Sequence, residues 1–310
     1  MLKLITGKVI QGVVMIFIVS AVTFALLNSA GGDALTALRD NPQISEETIE
    51  NLRRVYGFDR PFPVRFAVWL GGALTGDLGE SISFRVPVGR LIVTRLAKTF
   101  YLGVAALLLA LIISIGLSFL AARKPGKTIR FIIEALVLLT ASTPRIVLAL
   151  LVLMVTAMLA GSAMAIGSGS PISFLLTALV LASPMIAVFL AQGHEQLTLA
   201  MNEDFISLAR SKGLTESVLV MRHASRAALG PLLTLFGLSL GGLLSGSVIV
   251  ETILGWPGIG SLTVSAVRGR DVPLVMGIVL VASITVWLAN TLAEILQVVN
   301  DHRLRSAGAK

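Results

Sequence analysis

An all-α membrane protein with six transmembrane helices is the fold this chain implies, on three observations. Of its 310 residues 55% are hydrophobic and only 14% charged, with a mean hydropathy of +0.90, outside the balance of soluble domains. Six stretches reach the roughly 20 apolar residues that a bilayer core requires: about 9–29, 99–121, 131–158, 172–192, 229–250 and 274–299. Basic residues gather at the ends of those stretches, on alternate sides. The net charge of +8 therefore predicts membrane topology and lipid contact, and no nucleic-acid partner. The lack of cysteine excludes disulfides, thiol catalysis and iron–sulfur clusters, and three scattered histidines predict no metal site.

Taken in order, the first stretch ends in Asn28-Ser29-Ala30, which resembles a signal-peptide cleavage site, but its apolar run is longer than an h-region and predicts an uncleaved helix. Residues 30–98 follow on the opposite side. Within them PQISEETIENLRRVYGF carries a helix signature: Ser45 as cap, Glu46 and Glu47 in the first turn, an Ile44–Ile49 staple, and Gly57 as stop before Phe58. The prolines and glycines of DRPFPVRFAVWLGGALTGDLGES predict a folded cap over the outer mouth. The expected division is 1–98 for the first helix and outer segment, 99–299 for the transmembrane core and 300–310 for the tail.

Charge placement orients the chain. If the termini lie inside, the inner segments hold thirteen lysines and arginines, and the short outer loops hold only Arg268 and Arg270. Both termini are thus expected in the cytoplasm. The third stretch carries the one charge deep in a span, Arg145, immediately after Pro144. A buried guanidinium faces a bundle interior or a partner, so Arg145 is either a pathway group drawing a substrate carboxylate or a structural pair with Glu134, Glu294 or carbonyls freed by Pro144.

Between the fourth and fifth stretches, on the inner side, stands the polar-studded sequence EDFISLARSKGL. Asn202 can cap a short helix, Glu203 and Asp204 suit its positive end, and Gly213 supplies a left-handed stop before Leu214. Phe205, Leu208, Ala209 and Lys212 share one face, with Arg210 pointing elsewhere. Such a helix, projected into water, needs another protein to pack against. The fifth stretch contains Gly237, Gly241, Gly242 and Gly246, small-xxx-small pairs that suit either an interface with a second subunit or packing within the chain. Trp69, Trp256 and Trp287 are expected as interface anchors.

The sequence EDFISLARSKGLTESVLVMRHASRAALGP, with Asp204, Ala209, Gly213, His223, Ala227 and Pro231, resembles the cytoplasmic loop of inner-membrane permease subunits of ABC importers, in the branch for dipeptides, oligopeptides, nickel chelates and glutathione. YGFDRPFPVRFAVWLGGALTGDLGES and ETILGWPGIGSLTVSAVRGRDVPLVMG resemble that branch's outer segment and last outer loop. Two departures stand out: the loop after the third stretch lacks the branch's tryptophan-proline element, and NDHRLR replaces aspartate-proline before the tail. Arg145 stands where relatives usually carry an apolar residue.

The resemblance implies a type I ABC importer permease fold in a bacterial inner membrane. It implies as partners a second homologous permease, two ATP-binding subunits and an extracytoplasmic substrate-binding protein, with short peptides as cargo. It also implies that the helix holding Glu203 to Leu214 couples the ATPase to the spans. The chain has no G-x-x-x-x-G-K-[ST] loop, so ATP and Mg are expected to be used by the partners, with no cofactor on this chain and no enzymatic activity of its own. A proton-coupled transporter, the rival class, needs carboxylates or histidines inside spans, and Glu134 and Glu294 lie too near span ends.

Overall fold

A computed structural model describes residues 2–29, 46–47, 50–51, 60–123, 126–160 and 170–300, with backbone alone for some of them. The expected helix from Ser45 to Gly57 lies largely outside the described residues, although Glu46, Glu47, Glu50 and Asn51 are helical. Residues 161–169 and those beyond Asn300 also lie outside. Among the described residues every regular element is a helix, as an apolar chain must satisfy its backbone groups within each segment. The elements are α1 (Leu2–Ser29), α2 (Phe62–Thr75), α3 (Val88–Arg123), α4 (Lys127–Ser142), α5 (Arg145–Ala160), α6 (Pro171–Met201), α7 (Asp204–Ser211), α8 (Ser225–Ile253), α9 (Ile259–Arg268) and α10 (Val272–Asn300).

The chain forms two compact units: Met1–Thr99 with Pro257–Trp287, and Phe100–Trp256 with Leu288–Lys310. In the first, α2 lies against α1 through an aromatic cluster in which the Phe24 ring is 5.2 Å from Phe62 and 5.5 Å from Phe66. α2 stops at Gly76, whose φ of +86° favours glycine. The following turn is tied down by Asp271, which is fully buried. One carboxylate oxygen accepts from Ser81 Oγ at 2.6 Å and from Ser83 N at 2.9 Å; the other caps α10 by accepting from Leu274 N at 3.2 Å. A buried carboxylate is tolerable when its oxygens are satisfied in this way. Trp287 packs over Gly12 and donates its Nε1–H to Lys8 O at 3.0 Å.

In the second unit α6 is the central post. Leu181, Phe189 and Leu190 are fully buried, enclosed by α3, α4, α5 and α8. Pro184 lies inside α6, where it removes the N–H that would reach Val180 O. Ser183 Oγ donates to that carbonyl at 2.9 Å and restores the missing bond. Trp256 packs within this unit with its ring 5.4 Å from Phe174.

Among the described residues four helices are by themselves long and apolar enough to cross a membrane: α1, α3, α6 and α10. The expected span 229–250 falls within the 29-residue α8. The expected span 131–158 is not one helix. α4 and α5 meet at 101°, making either a broken span or a re-entrant loop. Pro144 is the cause: its ring excludes the preceding residue from helical space, and Thr143 sits at φ −91°, ψ 115°. With 16 residues each, the two halves are about 24 Å long, short of a hydrocarbon core.

Candidate functional site

The residues singled out between α6 and α8 come together as a knuckle at one end of the second unit. α6 ends at Asn202, which closes that helix and does not cap the next one as expected. The cap is Glu203, extended at φ −73°, ψ 150°, whose carbonyl accepts from Ile206 N at 3.0 Å. Asp204 in the first turn and Arg210 in the last complement the dipole of the eight-residue α7. Gly213 then turns the chain at φ +82°. A Cβ there would meet nothing within 4 Å, so conformation alone demands glycine.

α7 is not solitary. Ile206 is fully buried and Ala209 nearly so, on a floor of Leu197 and Ala200 from α6 and Leu219, Val220 and Ala224 beyond the turn. The expected face of Phe205, Leu208, Ala209 and Lys212 is thus divided: Ala209 points inward, while Phe205 and Leu208 are 45% and 59% exposed and Lys212 is exposed. Sequence reasoning overlooked Ile206, although its spacing of three from Ala209 marks a shared face. Leu214 and Met221 are also exposed.

Across the glycine turn Arg210 grips Glu216 with a two-pronged ion pair, Nε to Oε1 at 2.8 Å and Nη2 to Oε2 at 3.3 Å. The hydrogen bond and the charge of Glu216 hold the guanidinium pKa above its ordinary value. Thr215 starts the next segment, accepting from Leu219 N at 3.0 Å. Leu219–Ala224 winds as a π-helical turn before α8 begins at Ser225.

Arg145 opens α5 at the break, with Pro144 O accepting from Val147 N and Leu148 N at 2.9 and 3.2 Å. Its guanidinium lies on Gly246 of α8, filling the space a side chain there would need. It forms no ion pair among the described residues, and Glu134 is engaged by Arg130 at 2.7 Å. The other small residues of α8 are placed individually. Gly237 lies against Ala293 of α10, where a Cβ would stand 2.9 Å from the Ala293 Cα, and Gly241 lies against Asn290. Gly242 faces open space.

Two family descriptions match the chain. Residues 114–306 match binding-protein-dependent transport system inner membrane components, and residues 1–88 match the N-terminal part of such membrane components. A protein named as a peptide permease in Brucella suis biovar 1 is 31% identical over 98% of this chain and 99% of its own length. The oligopeptide transport system permease AppB of Bacillus subtilis is 31% identical over 92% of this chain and 94% of its own. The glutathione transport system permease GsiC of Escherichia coli K12 is 28% identical over 96% of both.

Proposed function

Because the chain belongs to the family of binding-protein-dependent transport system inner membrane components, we propose that it forms half of a translocation pathway for short peptides. It is the permease subunit of an ATP-binding-cassette importer, a multi-pass inner-membrane protein and not an enzyme; ATP hydrolysis lies in separate subunits. The partners of the working importer are a second homologous permease, two ATP-hydrolysing subunits that use ATP and Mg, and an extracytoplasmic binding protein. Both termini and α7 face the cytoplasm. Glutathione is the second cargo reading, favoured by the likeness to GsiC. Mass spectrometry of the ligand retained by the cognate binding protein decides between them.

The coupling role proposed for Glu203 to Leu214 rests on one observation, the division of α7 into an anchored and a bare side. Import needs two conformations of the spans and an input that favours each in turn. Ile206 and Ala209 fix α7 to α6 and to the turn leading into α8, so a force on Phe205 and Leu208 is delivered to two helices at once. Closure of the ATP-bound subunits, gripping those two side chains, tilts the bundle.

The test is the Phe205→Ser/Leu208→Ser pair in the reconstituted importer. Both side chains are exposed, so the permease itself stays folded. Uptake is expected to fall at least tenfold, with weaker co-purification of the ATPase. Transport at the unmodified rate would sink the reading. Along the pathway, the break at Pro144 and the guanidinium of Arg145 are the groups assigned to the cargo's carboxylate.

A further inference from the structure

Beside α7 lies a half-open pocket of about 700 Å³, within the second unit and distinct from the bare side that carries Phe205 and Leu208. Its walls are the last turn of α3, the first turn of α4, the last turns of α6, and the Arg210–Glu216 clasp. Four cations line it: Arg123, Lys127, Arg130 and Arg210. Glu216, the carboxylate in the lining, is engaged by Arg210, and Arg130 is engaged by Glu134, which leaves Arg123 and Lys127. Neither Arg123 nor Lys127 forms an ion pair among the described residues. In addition, the Nδ1 of His194 is buried at this wall without a hydrogen-bond partner.

We propose that this pocket is a binding site for a phosphate group, carried by an anionic lipid of the inner leaflet or by a soluble phosphate. The chemistry is that of a charge cluster built from several elements. Arg123 and Arg130 present planar donor forks and Lys127 a point charge, with the His194 ring in the same wall. Gly126 caps α4 without a side-chain hydrogen bond, so the positive end of that helix adds to the same field. A free carboxylate cargo would also be attracted, but the pocket is lined by Arg210 and Glu216 of the coupling knuckle and not by Arg145. Occupancy therefore bears on coupling. Arg210 both clasps Glu216 and lines the pocket, so a bound phosphate competes for the guanidinium that fixes α7 to the next segment.

The inference rests on the proposed orientation only for which leaflet supplies a lipid; its readout is binding and does not need transport. Two variants of the full importer complex are compared with the unmodified one. Arg123→Gln/Lys127→Gln removes the two uncompensated charges. Thr198→Trp keeps every charge and fills the pocket from the α6 wall. In the first arm, complexes exchanged from phosphatidylglycerol vesicles are measured by native mass spectrometry against phosphatidylcholine controls. In the second, inorganic phosphate is titrated against chloride at equal ionic strength and the melting temperature followed.

The expected result is retention of phosphatidylglycerol, or a rise of a few degrees with phosphate, in the unmodified complex, lost at least fivefold in both variants. The first outcome assigns a lipid headgroup, the second a soluble phosphate. Equal behaviour of all three complexes in both arms overturns the proposal. Loss in the charge variant with retention in Thr198→Trp overturns it too, since binding would then be diffuse surface attraction. If the charge variant fails to assemble, Thr198→Trp alone decides: loss of binding supports the pocket, and undiminished binding overturns it.

Discussion

Phe205 and Ala209 are four residues apart on α7, yet one reaches solvent and the other is enclosed. Helical spacing sets them near each other; the floor beneath decides their fate, and that floor is assembled from Leu197 and Ala200 before α7 and Leu219, Val220 and Ala224 after it. Hence the existence of α7 and its stop at Gly213 were legible, because capping and left-handed geometry are local, whereas its buried edge was not. Arg145 shows the same limit. Its place directly after Pro144 could be read, but not that Gly246 makes room for its head. A Gly246→Ala substitution pushes against the end of a flexible side chain, so the fold survives and the guanidinium is displaced. If Arg145 serves the cargo's carboxylate, Gly246→Ala and Arg145→Met should both lower uptake about tenfold, with ATPase activity retained in each. Uptake unchanged in Arg145→Met leaves the residue a structural role only.

At the scale of elements, the contact of α8 with the last part of α10 depends on absent side chains. Gly237 faces backbone and Cβ atoms of Ala293, which cannot swing aside, so Gly237→Ala is expected to destabilise by about 2 kcal/mol through overpacking. Gly242→Ala meets nothing within 4 Å and should leave the melting temperature of the purified complex unchanged or slightly higher. Equal effects of the two would contradict the packing described. Gly237, Gly241, Gly242 and Gly246 were visible in the sequence, but their separate tasks depend on neighbours that only the fold supplies. The α4–α5 break is a different lesson. Pro144 stood in plain sight, and average hydropathy ran across it because hydrophobicity carries no information on backbone direction.

For the whole molecule, topology is the testable matter. The chain has no cysteine, so a single one can be introduced as a unique label. Ser211→Cys on exposed α7 should react with an impermeant maleimide in inverted membrane vesicles and remain unlabelled in right-side-out ones; the reverse pattern would invert the proposed orientation. In the first unit, the Asp271 carboxylate joins a turn and a helix start 190 residues apart in sequence, a link no local pattern announces. In the second, the π-helical turn at Leu219–Ala224 has the broadest reach. A π turn holds roughly one residue more than an α turn, which is about 100° of helical phase. That surplus residue works as an angular spacer: it lets Leu219, Val220 and Ala224 sit beneath α7 while Gly237 and Gly241, further along the same rod, still point at α10. Trim one residue from it, and either the knuckle or the glycine seam must lose its aim.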